Sequence, residues 1–163
     1  HPVAAVQSEY SLATRYPELG LLQKCLSLGT TMVAFSPVGR SILTDNPHNR
    51  ARAEKMPFLK NNPRFMSPNL ERNVEVTKSF RLFARERGYS AASLSIAWLL
   101  SRGPHILPIP GTRSPKRLEE LVQGIYLKLT EDDLREIDKL LPVGWAHGDR
   151  YSTEQWVGPE RYS

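Results

Sequence analysis

The 163-residue chain is short of cysteine, of long apolar runs and of clustered metal ligands, and each shortage removes a class of function. Its one cysteine, Cys25, permits no internal disulfide, which fits a reducing compartment and makes the cytoplasm the expected location. No apolar run approaches the roughly 20 residues that span a bilayer, so no membrane partner is expected. His1, His48, His105 and His147 stand far apart, without HExxH spacing or a neighbouring cysteine, so no metal site is expected. A GxSxG elbow is missing too, which removes the hydrolase nucleophile that such a turn presents. The chain opens on His1 rather than Met, and neither a signal peptide nor a transit sequence follows; its first residue reads as something other than a translation start.

What is present is ordinary for a soluble globular domain: 24% charged and 40% apolar residues. The 22 basic residues exceed the 17 acidic ones and give a net charge of +5, but the two signs interleave along the chain. Solvated faces account for that pattern better than a nucleic-acid surface does, and no nucleic-acid-binding motif accompanies it.

Three short apolar runs, Val3–Val6, Thr31–Phe35 and Ile106–Ile109, each lead toward a helical pattern and suit strands buried on both faces. After the first, Pro17 and Glu18 open a helix with Leu19, Leu22, Cys25 and Leu26 at helical spacing, closed by Gly29. The connection from Phe35 to about Asn69 is long and carries Pro37, Pro47, Pro57, Pro63 and Pro68; loops of that length are usually functional or disordered. Asn69 then caps a helix through Arg87, and Ser90 begins another that Gly103 and Pro104 stop. Ser114 and Pro115 start a further helix, and Thr130 caps the last, Glu131 to Leu141. The tail, 142–163, carries Trp145, His147, Tyr151, Trp156 and Tyr162 without periodicity and should lie across another surface.

Strand–helix alternation implies parallel strands, since a helical crossover returns the chain in the same direction. Three parallel strands leave open edges and an uncovered face, whereas a closed eight-stranded barrel needs about 250 residues. The expected fold class is therefore α/β, and the chain looks like part of something larger.

Ligand sites in such barrels gather where strands end. Gln7 and Glu9 leave the first strand, Ser36-Pro-Val-Gly-Arg40 the second and Gly111-Thr-Arg-Ser114 the third. Gly111 lets the backbone approach an anion, Thr112 and Ser114 offer hydroxyls, and the helix start adds free N–H groups. Arg113, Lys116 and Arg117 add positive charge, and arginine can grip phosphate through two parallel bonds. Two adjacent loops of this kind suit one elongated anion, the shape of a dinucleotide.

The segments "VQSEYSL", "AFSPVGRSILT" and "IPGTRSPKRLEEL", in this order and at roughly these intervals, resemble the C-terminal half of the aldo-keto reductase family, from its sixth strand to its end. The resemblance implies a (β/α)8 TIM barrel of which this chain, 1–163, forms the last three βα units, the C-terminal helix and the tail. It also implies NADPH as cofactor and the reduction of an aldehyde or ketone to an alcohol. By position, Gln7 would hydrogen-bond the nicotinamide amide and Phe35 would stack on its ring, while Ser36, Val38 and Arg40 would flank the pyrophosphate. Thr112, Arg113 and Arg117, after Gly111, would hold the adenosine 2′-phosphate, and Glu120 would face the adenine. Leu121 stands where an asparagine is common, and Ser41 where a glycine is frequent. The family's catalytic aspartate, tyrosine, lysine and histidine belong to earlier strands, and none of the six tyrosines here has matching surroundings, so no catalytic residue is assigned. The expected partners are a small carbonyl substrate and the barrel's N-terminal half, with an oligomer as a further possibility. The alternative reading is a non-catalytic half-barrel that binds nucleotide or a protein partner.

Overall fold

Three parallel strands organise the computed structural model, which describes residues 1–157. They are β1 (Ala5–Glu9), β2 (Thr31–Phe35) and β3 (Ile106–Ile109), in that order across one sheet. Gln7 pairs with Val33, which pairs with Leu107; Glu9 pairs with Phe35, which pairs with Ile109. β1 therefore starts two residues beyond the apolar run at Val3 and continues through polar Gln7, Ser8 and Glu9. Its limits follow the ladder to β2 and not the hydropathy of its own residues.

Among the described residues six α-helices accompany the sheet: α1 (Leu21–Leu28), α2 (Arg50–Ala53), α3 (Asn69–Glu86), α4 (Ala91–Ser101), α5 (Pro115–Tyr126) and α6 (Glu131–Leu140). The helix expected from Pro17 is a separate 3₁₀ turn, Tyr16–Leu19, because Gly20 at φ 129° breaks the chain before α1. Two caps follow the sequence closely. The Ser90 hydroxyl accepts from the Ser93 N–H, and Thr130 and Asp133 form a reciprocal capping box. Two do not. Asn69 is the first residue inside α3 and its amide donates to the Pro63 carbonyl, while Ser114 stands before α5 with its hydroxyl uninvolved. Thr112 Oγ1 instead accepts from the Ser114 N–H at 3.2 Å.

Packing follows side-chain composition. α4, apolar on every side, is buried from Ala91 to Leu99, sandwiched by α3, α5 and β3. α1 rests on β2, and α6 on α3. Met32, Ala34 and Ile106 face these helices with Phe80, Leu94 and Trp98 in the main core, each large side chain contributing about 1.5–3 kcal/mol by leaving water. The opposite sheet face is uncovered: Gln7 is exposed, and Leu107 and Ile109 are 52% and 42% exposed. The strands are thus buried on one face, a correction to the double burial expected from their composition. No helix among the described residues is long and apolar enough to cross a membrane.

From Pro142 the tail crosses the end of β1. Trp145 Nε1 donates to the Leu12 carbonyl at 2.7 Å, the Asn73 amide bonds His147 through both its backbone groups, and Asn62 Nδ2 donates to the Arg150 carbonyl. Tyr162 lies outside the described residues.

Gly124 marks the closest approach of α5 to α4. A Cβ there would lie 2.5 Å from the Ser93 carbonyl and 2.7 Å from Ile96 Cβ. Helix propensity favours alanine by about 1 kcal/mol, but a backbone carbonyl cannot move aside cheaply. Gly124→Ala should lower stability by about 1–3 kcal/mol in urea unfolding, while Gly111→Ala, with nothing within 4 Å and no positive φ, should change it by under about 0.5 kcal/mol. An unchanged or raised midpoint for Gly124→Ala would show that the helices separate freely.

Candidate functional site

β2 hands the chain to a tight loop with four consecutive-range residues in the left-handed region: Ser36 (φ 53°), Gly39 (φ 56°), Arg40 (φ 51°) and Ser41 (φ 92°). Three of these are not glycine, and each such conformation costs on the order of 1–3 kcal/mol, so surrounding contacts must impose it. They are visible. Gly39 N–H donates to the Ser36 carbonyl, Leu43 N–H to the Val38 carbonyl, and the Ser41 hydroxyl accepts from the His48 N–H. Ser41 adopts backbone angles that favour the glycine common at this position in the resembled family.

The strongest of these contacts is a fork. Arg40 grips Glu9 with both terminal nitrogens, Nη1 to Oε1 at 3.1 Å and Nη2 to Oε2 at 2.9 Å, and Nη2 also donates to the Tyr151 hydroxyl. Glu9 is 1% exposed, and Arg64 and Arg150 approach it at 3.9 and 3.8 Å, with Thr14 donating to Oε1 at 3.1 Å. One carboxylate thus sits among three guanidinium groups. Burial draws the Arg64 pKa down to about 10 and lowers that of Arg150, with Glu9 opposing both shifts. Burial, then Glu9, raises the Tyr151 hydroxyl. Phe58, Tyr151 and Trp156 pack as aromatic neighbours above, and Arg40 lies 5.2 Å from the Phe58 and Tyr151 rings.

Beside this cluster opens a cavity of about 510 Å³, within the range of small-molecule sites. Eight of the ten expected cofactor residues line it: Phe35, Ser36, Val38 and Arg40 from the β2 side, Gly111, Thr112, Arg117 and Glu120 from the β3 side. Val38 also packs against Ala92, Ile96 and Leu121, which joins the two loops mechanically. Gln7 stands apart on the uncovered sheet face, and Arg113 is exposed off the cavity wall.

The third wall was hidden in the sequence. Asp45, His48, Met56 and Phe58 come from the proline-rich connection, whose length alone signalled a functional segment. Asp45 is fixed by accepting from the Ala91 N–H, beside the start of α4. The His48 ring is held below its ordinary pKa by burial and then by Arg52 and Arg117, and its Nδ1 is buried with no partner. Exposed Arg117 enters no ion pair among the described residues. Aromatic faces, an open glycine, an uncommitted arginine and the unburied edge of an imidazole line a cavity that fits part of an elongated anionic dinucleotide.

Residues 1–142 match the model of the aldo/keto reductase family, and the chain belongs to that family. It is 36% identical over 154 residues to probable aldo-keto reductase 1 of Glycine max, covering 93% of this chain and 43% of that protein. It is 34% identical to aldo-keto reductase yakc (NADP(+)) of Schizosaccharomyces pombe, covering 93% and 45%. The chain therefore spans less than half the length of these relatives. Among solved structures, the glycerol dehydrogenase of Gluconobacter oxydans superimposes with a TM-score of 0.72 at 23% identity, over 86% of this chain and 43% of the other. An aldo-keto reductase of Klebsiella pneumoniae in complex with NADPH gives 0.63 at 20% identity, over 98% and 43%. Those likenesses establish the fold.

Removing the Glu9 charge leaves three arginines facing one another. Glu9→Gln should cost about 3–5 kcal/mol in equilibrium unfolding, the scale for breaking a buried ion pair from one side. It should also speed proteolysis within 142–157, since Arg40, Arg64 and Arg150 no longer share a partner. A loss below about 1 kcal/mol with an equally resistant tail would show that the cluster holds neither loop nor tail.

Proposed function

We propose that this chain is the cofactor-binding half of an NADPH-dependent carbonyl reductase, corresponding to the last three βα units, C-terminal helix and tail of an aldo-keto reductase barrel. The observation that carries this reading is the single cavity formed by the β2 and β3 loops. In it Thr112 and Arg117 hold the adenosine 2′-phosphate, with Gly111 admitting close approach and Arg113 at the exposed edge of the same loop. Glu120 faces the adenine, and Ser36, Val38 and Arg40 flank the pyrophosphate, Arg40 acting from a position fixed by Glu9. Phe35 offers a ring face and Gln7, on the open inner side of the sheet, an amide for the nicotinamide end. Bound NADPH supplies the hydride that reduces an aldehyde or ketone. This chain's residues orient that cofactor, while proton donation to the product oxygen falls to the barrel's N-terminal half, the expected partner. The buried single cysteine suits a reducing compartment, the cytoplasm.

The open edges and uncovered face of the sheet favour a second reading, a half-barrel that binds nucleotide or a partner without catalysis. The two separate by assay of the longest native form: NADPH oxidation driven by small aldehydes supports the reductase, and NADPH binding with no turnover supports the half-barrel.

Arg117→Ala should weaken NADPH binding by about 1–3 kcal/mol, the scale of a lost charge-assisted contact, and leave NADH unchanged. Fluorescence titration of the full chain with both cofactors measures this. Equal losses for the two would reject the 2′-phosphate assignment.

A further inference from the structure

We propose that His48, on the long connection between β2 and α3, is a specificity residue of this cavity and meets the adenosine 2′-phosphate jointly with Arg117. The inference rests on the NADPH reading above. His48 and Arg117 reach the same cavity from two different elements, the connection and α5, and both are free to take a new partner there. The backbone of His48 is anchored, its N–H donating to Ser41 Oγ at 3.0 Å, but the ring forms no hydrogen bond among the described residues, and its buried Nδ1 lacks the partner that such atoms ordinarily have. Nδ1 is closed to the cavity, so a phosphate oxygen between imidazole and guanidinium meets the ring at its unburied Nε2 and gives Arg117 and the ring, once protonated, a shared anion.

Proton linkage follows from the charges around the ring. Arg52 on α2 and Arg117 on α5 bear on it directly, and Arg40, Asp45 and Glu120 share its cavity. With burial first and those two arginines next, the imidazole is neutral near neutral pH. A phosphate dianion reverses the electrostatic part of that balance, raises the ring's pKa and draws a proton onto it. The phosphate's own ionisation, near about pH 6, runs the other way: cations around it lower its pKa, so on binding it releases protons. The sign of proton exchange therefore tells histidine from phosphate. Because the folded, ligand-bound ring has the higher pKa, the extra affinity is present at low pH and is lost as pH rises through that bound value.

The test is calorimetric titration of the full chain with NADPH and with NADH at pH 7.5, in two buffers of different ionisation enthalpy, repeated on His48→Gln. The wild type should take up about half a proton per NADPH and none per NADH, and should bind NADPH about fivefold more tightly at pH 6.5 than at pH 8.5. His48→Gln should abolish the uptake and flatten that pH dependence to within about twofold, leaving NADH binding unchanged. The uptake is measured on the wild type alone, so it decides the matter even if the variant folds poorly. Discrimination between NADPH and NADH without proton uptake, unaffected by His48→Gln, overturns the role of His48 while leaving the cofactor assignment standing. A wild type that binds neither cofactor, or both equally, overturns the cofactor reading and this inference with it.

Discussion

Glu9 ends β1 with its carboxylate buried beneath three guanidinium groups, each delivered by a different part of the chain: Arg40 from the loop after β2, Arg64 from the long connection, Arg150 from the tail. At an effective dielectric near 20 a charge pair at 4 Å gains about 4 kcal/mol, while burying each ion costs several, so the cluster's main effect is positional. It makes one arrangement of three otherwise irregular segments better than any other. The fork from Arg40 requires that residue's left-handed backbone, which in turn sets the course of Ser36 to Ser41 along the cavity. Tyr151, bonded to Arg40, draws the tail and its aromatic neighbours over Phe58.

The same constraint shapes the electrostatics of the cavity. Three cations around one anion leave an excess of positive charge in a poorly solvated place, where an approaching polyanion feels it strongly. Arg40 contributes that charge from a fixed fork and not as a mobile hand. Two further groups, Arg117 on α5 and the His48 ring on the long connection, reach the same cavity without being tied to a carboxylate. A fixed positive group at Arg40 and two uncommitted groups at Arg117 and His48 suit a ligand whose pyrophosphate is common to both nicotinamide cofactors and whose 2′-phosphate is not.

Much of this was readable from residue order. Two apolar runs coincide with β2 and β3 and the first overlaps β1 at Ala5 and Val6, Ser90 and Thr130 cap as their positions suggest, and the loops carrying Phe35 to Arg40 and Gly111 to Glu120 do converge. What escaped had non-local causes. β1 is bounded by its pairing with β2, which no local pattern in Val3 to Glu9 reveals. Asn69 and Ser114 are the local exception: both have good capping side chains, yet short-range partners at Pro63 and Thr112 take over the bonds. The wall from Asp45 to Phe58 has no periodicity, because its residues answer to Ala91, Ser41 and the tail and not to each other. Gln7, aligned by motif with the cofactor residues, stands outside the cavity wall but on the same sheet face as Phe35 and Ile109, a placement that only the sheet's parallel register accounts for.

The central claim is that the β2 and β3 loops form one cofactor seat whose β3 end reads the 2′-phosphate. Amide chemical-shift mapping on the isotopically labelled full chain, titrated in parallel with NADPH and NADH, addresses it most directly. Both ligands should perturb Phe35 to Ser41, and only NADPH should strongly shift Gly111 to Arg117 and His48. Identical maps for the two cofactors, or shifts confined to the exposed face of β1 and β3, would contradict it.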